Sequence, residues 1–158
     1  MRENLELVDT NRPDTLPYQR ARFTTQLPLR YLYTPSHFWI AAADAWTWRI
    51  GLTKFACRIL GEMVDYGFEV VADAPVASGQ AIGWIEGFKA LSDIHCIADG
   101  HFIGINPALE GHITLITSDP YGAGWLHAVR GKPDATCVDA HGYAKILDQT
   151  IDKLLETG

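Results

Sequence analysis

Lys89 stands between two apolar runs, Ala81 to Glu86 before it and Leu91 to Ile97 after it. Both runs have the aromatic and β-branched content of strands, so the lysine falls at the tip of a hairpin. The chain has five lysines, Lys54, Lys89, Lys132, Lys145 and Lys153, and only Lys89 occupies such a junction. A two-residue hairpin tip ordinarily recruits Asn-Gly or Asp-Gly to reach positive φ. Here the tip reads Gly87-Phe-Lys-Ala90, with a bulky Phe88 beside the amine. An amine held out on a rigid turn suits enzymatic acylation, because the modifying enzyme must surround it while the backbone stays put. The amide removes the charge and makes the residue a tether. His95 and Cys96 are the other reactive neighbours, but successive strand residues point to opposite faces and cannot act as a pair. Cys96 remains a candidate thiol, against the commoner role of a small buried packing residue. His37, His101, His112, His127 and His141 form neither H-x-x-x-H nor H-E-x-x-H, and Cys57, Cys96 and Cys137 lack a C-x-x-C spacing. The pattern predicts no metal site and no disulfide framework.

The elements that position Lys89 can be read outward from it. Tyr31 to Tyr33, Phe38 to Ala43 and Trp46 to Ile50 are strand-like, with Asp44-Ala45 as a hairpin tip. Gly51 to Gly61 changes period: Thr53 is placed to cap a short helix, Phe55, Ile59 and Leu60 share a face, and Gly61 suits the position past its end. Met63 to Val71 is a strand, 73–79 a loop, Ala98-Asp-Gly100 a tight turn and His101 to Ile105 the next strand. Residues 113–117 fit either a strand or a helical turn, and Trp125 to Arg130 reads as a last strand. After the Gly131-Lys-Pro-Asp linker, apolar residues at Tyr143, Ile146, Leu147, Ile151, Leu154 and Leu155 make an amphipathic terminal helix over 139–155. Two hairpins around one lysine imply a compact sheet or a flattened barrel.

With 158 residues, one main domain with appended ends is the economical division: an extended, irregular arm over 1–30, a central domain over 31–131, and a linker with the terminal helix over 132–158. A hydrophobic content of 47% with 20% charged residues is globular. The net charge of −6 argues against nucleic acid, whose binding needs clustered Lys and Arg. No secretory leader and no apolar run of about 20 residues stands out, so the sequence predicts a soluble, cytoplasmic protein without membrane partners. Trp39, Trp46, Trp48, Trp84 and Trp125 are expected in the core and rim of the sheet rather than in a nucleobase platform.

Residues 31 to about 130 resemble the glycine cleavage H proteins. The matching segments are Tyr33-Thr-Pro-Ser-His-Phe-Trp39, Ile50-Gly-Leu-Thr-Lys-Phe-Ala56 with Leu60-Gly-Glu62, Glu86-Gly-Phe-Lys-Ala-Leu-Ser-Asp93, Asp99-Gly100, Ile105-Asn-Pro-Ala-Leu109 and Ser118-Asp-Pro-Tyr-Gly-Ala-Gly-Trp125. The resemblance implies a mainly β fold, the flattened barrel-sandwich hybrid of biotinyl and lipoyl carriers, with a short internal helix and a C-terminal amphipathic helix. It implies lipoate bound covalently to Lys89, Glu86 as the acidic residue recognised during lipoylation, and Gly87, Phe88, Ala90 and Asp93 as the flanking site. It makes Asp119-Pro-Tyr-Gly part of the arm's docking surface. The protein would be a carrier and not an enzyme, with a lipoylating ligase or transferase, dihydrolipoamide dehydrogenase and the glycine cleavage enzymes as partners. Biotin carriers set Met on both sides of the lysine, unlike Phe88 and Ala90 here.

The departures lie around the arm. H proteins usually read Glu-Ser-Val-Lys-Ala and then Tyr-Ser-Pro-Val-Ser-Gly, where this chain has Gly87-Phe88 and Ile94-His-Cys-Ile-Ala-Asp-Gly100, and Asp73 stands at a family glycine. In these respects it is similar to the H-like lipoate-binding proteins of bacterial sulfur oxidation, which work beside a heterodisulfide-reductase-like complex. The sequence reading favours a sulfur-shuttling arm of that kind. Its alternatives are an aminomethyl carrier of glycine cleavage and, in another class, an unmodified interaction module on the same fold.

Overall fold

The computed structural model describes residues 14–157. In chain order the elements are β1 (Thr15–Arg20), β2 (Phe23–Pro28), β3 (Leu32–Tyr33), β4 (Phe38–Ala42), β5 (Thr47–Leu52), α1 (Lys54–Leu60), β6 (Met63–Phe68), β7 (Pro75–Val76), β8 (Ala81–Gly87), β9 (Leu91–His95), β10 (Ala98–Ile105), the one-turn α2 (Leu115–Ser118), β11 (His127–Pro133) and α3 (Ala140–Thr157). A six-stranded sheet in the order β3-β4-β5-β11-β10-β7 faces a three-stranded sheet in the order β6-β8-β9, all pairings being antiparallel. Ile40, Ile50, Phe102 and Val129 from the first sheet meet Ile82, Ile85 and Ile94 from the second in one core. β4 and β5 contribute alternate residues to that core, Phe38 and Ile40, Ile50 and Leu52, as half-buried strands do, while a register shift in β8 spaces Ile82 and Ile85 three apart. The fold is therefore mainly β with flattened sheets, and the expected helices are present at the middle and the C-terminal end.

A second core holds the ends of the chain. Tyr18, Phe23 and Leu27 of the β1–β2 hairpin pack with Tyr33, Trp39, Phe55 and the α3 residues Ala140, Tyr143, Leu147 and Ile151. The spacing of those α3 residues is one helical stripe. Arg20 binds Asp152 through two 2.8 Å hydrogen bonds and lies 3.2 Å from Asp148, to which the Tyr18 hydroxyl donates at 2.7 Å.

The irregular arm expected over 1–30 is thus corrected for residues 15–28, which are a hairpin; residues 1–13 lie outside the described residues. Phe23, Thr25 and Leu27 alternate inward along β2, and the polar Thr25 in the middle hides this period from a hydropathy reading. Pro17 sits on β1, an edge strand, where a missing N–H is tolerated. Ala98-Asp-Gly100, expected as a turn, opens β10: Ala98 pairs with Pro133 and Gly100 with Gly131, two facing glycines that let the backbones approach. The same pairing carries β11 through the expected Gly131-Lys-Pro linker. Pro75–Val76, in the expected loop, adds a short strand to β10. Residues 115–118 are helical, and Ile59 faces solvent while Phe55 and Leu60 are buried.

The buried Tyr143 hydroxyl joins α3 to the barrel, lying 2.8 Å from Thr53 Oγ1 and 2.7 Å from His37 Nδ1. Its ring stacks on Tyr33 at 4.9 Å. Tyr143→Phe keeps the stack, leaves half-buried His37 Nδ1 without this partner and Thr53 with only its bond from Ala56 N, so urea denaturation should show a loss of about 1–2 kcal/mol.

Candidate functional site

Lys89 is positioned by α1 as much as by its own hairpin. Thr53 starts the helix, its hydroxyl accepting from Ala56 N at 3.2 Å, and Gly61, at φ 82°, ends it with its N–H on Cys57 O. The last carbonyls of a helix lack partners within it. The hairpin supplies them: Lys89 N donates to Leu60 O at 2.8 Å and Phe88 N to Glu62 O just beyond, at 2.9 Å, while Gly87 N closes the tip on Ala90 O. Lys89 Nζ donates to Arg58 O at 3.3 Å, a cation at the carbonyl end of a helix, where the peptide dipoles favour it. The backbone of Lys89 is clamped and its side chain exposed.

The odd tip composition now has a cause. A Cβ on Gly87 would lie 2.2 Å from the Leu60 carbonyl oxygen, so only glycine lets the strand approach the helix this closely. Phe88 and Leu91 project outward, 80% and 69% exposed. In the β8–β9 register Glu86 pairs with Leu91 and Trp84 with Asp93, which sets the Glu86 and Asp93 carboxylates on the outer face with Leu91. Ala90 is half-buried. Of the expected site residues, Glu86, Phe88, Lys89 and Asp93 therefore form one surface, with Gly87 buried and Ala90 half-buried beneath it. Sequence reading missed its other half, Arg58, Leu60 and Glu62, because contacts across some thirty residues leave no local signal; Gly61 after a capped helix was the only hint.

Cys96 lies elsewhere. It is buried, its Sγ directed at Ala98 O at 3.2 Å, and burial pushes the thiol pKa up, while His95 beside it is exposed. A sealed thiol held protonated is a poor nucleophile. Tyr121 of the Asp119-Pro-Tyr-Gly turn accepts from Lys54 N at the start of α1, whereas Lys89 meets its end, a separation of about 10 Å for seven helical residues. That turn lines a separate cleft of about 1420 Å³ with Tyr31, Trp39, Arg49 and Trp125. Among the described residues no three His, Cys, Asp or Glu side chains converge as a metal site, and no helix is long and apolar enough to cross a membrane.

His127, fully buried between Phe68 and Phe102 at 5.2 and 5.7 Å, has no hydrogen-bond partner on either ring nitrogen among the described residues. Burial lowers its pKa to about 3. The unfolded chain takes up this proton near the ordinary pKa of about 6.5, so His127 costs the fold nothing above that pH and costs it more as pH falls toward 3. Stability should drop by about 1.4 kcal/mol per pH unit from this group between pH 6 and 4. Urea midpoints of the His127→Leu variant should fall less steeply over that range.

The clamped lysine on a flattened two-sheet β-fold defines a carrier domain of the lipoyl type, and comparison with known proteins gives the family. The sequence model described as "Glycine cleavage H-protein" matches residues 31–149, and the chain belongs to that family. It is 35% identical over 122 residues to the glycine cleavage system H protein of Corynebacterium jeikeium, covering 75% of this chain and 95% of that one. It is 34% identical over 131 residues to that of Mycolicibacterium smegmatis, covering 79% and 99%. The crystal structure of a glycine cleavage system H protein from Mycobacterium marinum superposes with a TM-score of 0.67 at 31% identity, covering 75% of this chain and 97% of that chain. Proteins of this family carry lipoate covalently on a lysine and act with partner enzymes without being catalysts themselves. The β1–β2 hairpin lies before the matched region.

Proposed function

We propose that Lys89 is the lipoyl-bearing residue, joined to lipoate by an amide at Nζ. The observation that carries this reading is the combination of a pinned backbone and an exposed side chain: Lys89 N is fixed to Leu60 O while the amine, held only by the Arg58 carbonyl, is open to solvent. The cofactor contributes a cyclic disulfide on a long flexible chain; the protein contributes a fixed root for it. Such a tether holds the sulfur pair at high effective concentration for successive partner sites. Glu86 and the exposed Phe88, Leu91 and Asp93 form the surface a lipoylating enzyme must read, with Gly87 and Ala90 shaping the tip.

Between the two routes, the names of the relatives favour glycine cleavage, with the arm carrying an aminomethyl group in the cytoplasm among the glycine cleavage enzymes and dihydrolipoamide dehydrogenase. The sulfur-oxidation reading, with a heterodisulfide-reductase-like partner, rests on the tip itself. Phe88 is 80% exposed and Gly87 is required by Leu60, so the surface around the arm differs from the usual Ser-Val. Treatment with a lipoylating ligase should add lipoyl mass to the Lys89 peptide; its persistent absence would leave an unmodified interaction module. Incubation of the loaded protein with glycine cleavage enzymes and glycine should expose arm thiols. No glycine-dependent thiols, together with turnover by a sulfur-oxidising partner, would select the second route.

A further inference from the structure

On a chain of net charge −6, three cations line one side of the arm site. Lys54 and Arg58 are exposed one turn apart on the outward side of α1. The Arg58 guanidinium lies 5.9 Å from the centre of the Phe23 ring, and that ring packs edge-on against Phe55 of α1 at 5.3 Å. These contacts fix the start of β2 against the helix, and the exposed Arg22 immediately precedes Phe23 in the β1–β2 turn. Arg22, Lys54 and Arg58 have no carboxylate partner among the described residues, whereas Arg20 of the same hairpin is paired with Asp148 and Asp152. The row ends at Lys89, whose Nζ donates to the Arg58 carbonyl. Past Lys89 the sign reverses, with Glu62, Asp65, Glu86 and Asp93 all exposed.

Like charges at i and i+4 repel, and while the helix dipole favours Arg58 in the last turn of α1, it disfavours Lys54 in the first, so the stability of α1 gives no reason for the pair. A partner of opposite charge does. Three cations on an acidic chain are too few for a nucleic-acid footprint. We propose that Arg22, Lys54 and Arg58 form a docking strip for a carboxylate-bearing protein surface at the arm entrance of a partner enzyme, aligned so that the tether rooted at Lys89 enters from the strip's end. This rests on the assignment of Lys89 as the attachment residue. The hairpin that supplies Arg22 and Phe23 precedes the residues matched by the family model.

The test uses full-length protein with lipoyl loading verified by intact mass, and reduction of the arm by dihydrolipoamide dehydrogenase with NADH. In the unaltered chain, raising salt from about 20 to 200 mM should raise KM several-fold with little change in kcat, because screening weakens steering by charge. The Arg22→Glu/Arg58→Glu double variant should raise KM about tenfold at low salt and lose most of the salt dependence. Arg22→Lys/Arg58→Lys should restore KM, since charge and not fork geometry is invoked. A salt-independent KM in the unaltered chain, an unchanged KM in the glutamate variant, or a lysine variant as impaired as the glutamate one would overturn the strip. So would a short DNA duplex that binds the unaltered chain and not the glutamate variant. Absence of lipoyl mass on Lys89 would instead overturn the attachment assignment.

Discussion

Lys89→Arg removes the lipoyl mass from the protein and reduces arm-dependent turnover by roughly 10³-fold or more, the scale set by losing a tethered group's effective concentration. Arginine is the informative replacement because it keeps the positive charge and a donor for the Arg58 carbonyl while offering no amine to acylate. The backbone bond from residue 89 to Leu60 O is untouched, so the urea midpoint should stay within about 0.5 kcal/mol of the parent. Mass spectrometry of ligase-treated protein, followed by reduction with NADH and dihydrolipoamide dehydrogenase, reads both effects. Lipoyl mass surviving the substitution on Lys54 or another lysine would sink the assignment, and a collapsed fold would show that the residue is structural.

The second large effect is expected at Gly87. Alanine there places a methyl group 2.2 Å from a backbone oxygen of α1, and neither element can yield cheaply. The tip must lift, breaking the Lys89–Leu60 and Phe88–Glu62 hydrogen bonds, at a cost of about 1–3 kcal/mol. Loading by the ligase should slow in parallel, since the amine loses its fixed root. Gly104→Ala is the matched control: a Cβ there meets nothing within 4 Å, so loading should be unchanged. Equal behaviour of the two variants would mean that the close approach at Gly87 does not position the lysine.

How much of this was legible follows the range of the interactions. Thr53 and Gly61 bound α1 as capping chemistry requires, and the aromatic and β-branched runs on either side of Lys89 gave its hairpin directly. Signals of that kind are local. The β1–β2 hairpin was missed because Thr25 breaks the apolar period of β2 and because prolines at 17 and 28 suggest irregular backbone. What holds it in place lies some 130 residues away, in Asp148 and Asp152. At the site, the lysine and its flanks were readable but the reason for Gly87 was not: the atom that excludes a side chain is the Leu60 carbonyl oxygen, which every residue type would present alike. The unusual tip thus invited a reading in terms of partners, when its glycine answers first to the helix beneath it. Cys96 shows the converse, since alternation placed it opposite His95 but could not tell that its face was sealed.

The clasp between Tyr18 and Arg20 on one side and Asp148 and Asp152 on the other sets the order in which a ribosome can finish the molecule. Every strand of the two facing sheets, and Lys89 with them, precedes α3 in the chain. During synthesis Phe23 and Leu27 must wait, uncovered by their helical partner, until α3 has been made. A chain cut just before α3 would therefore keep every strand of the arm domain with its clasp open, competent for loading and yet exposed to aggregation through the hairpin.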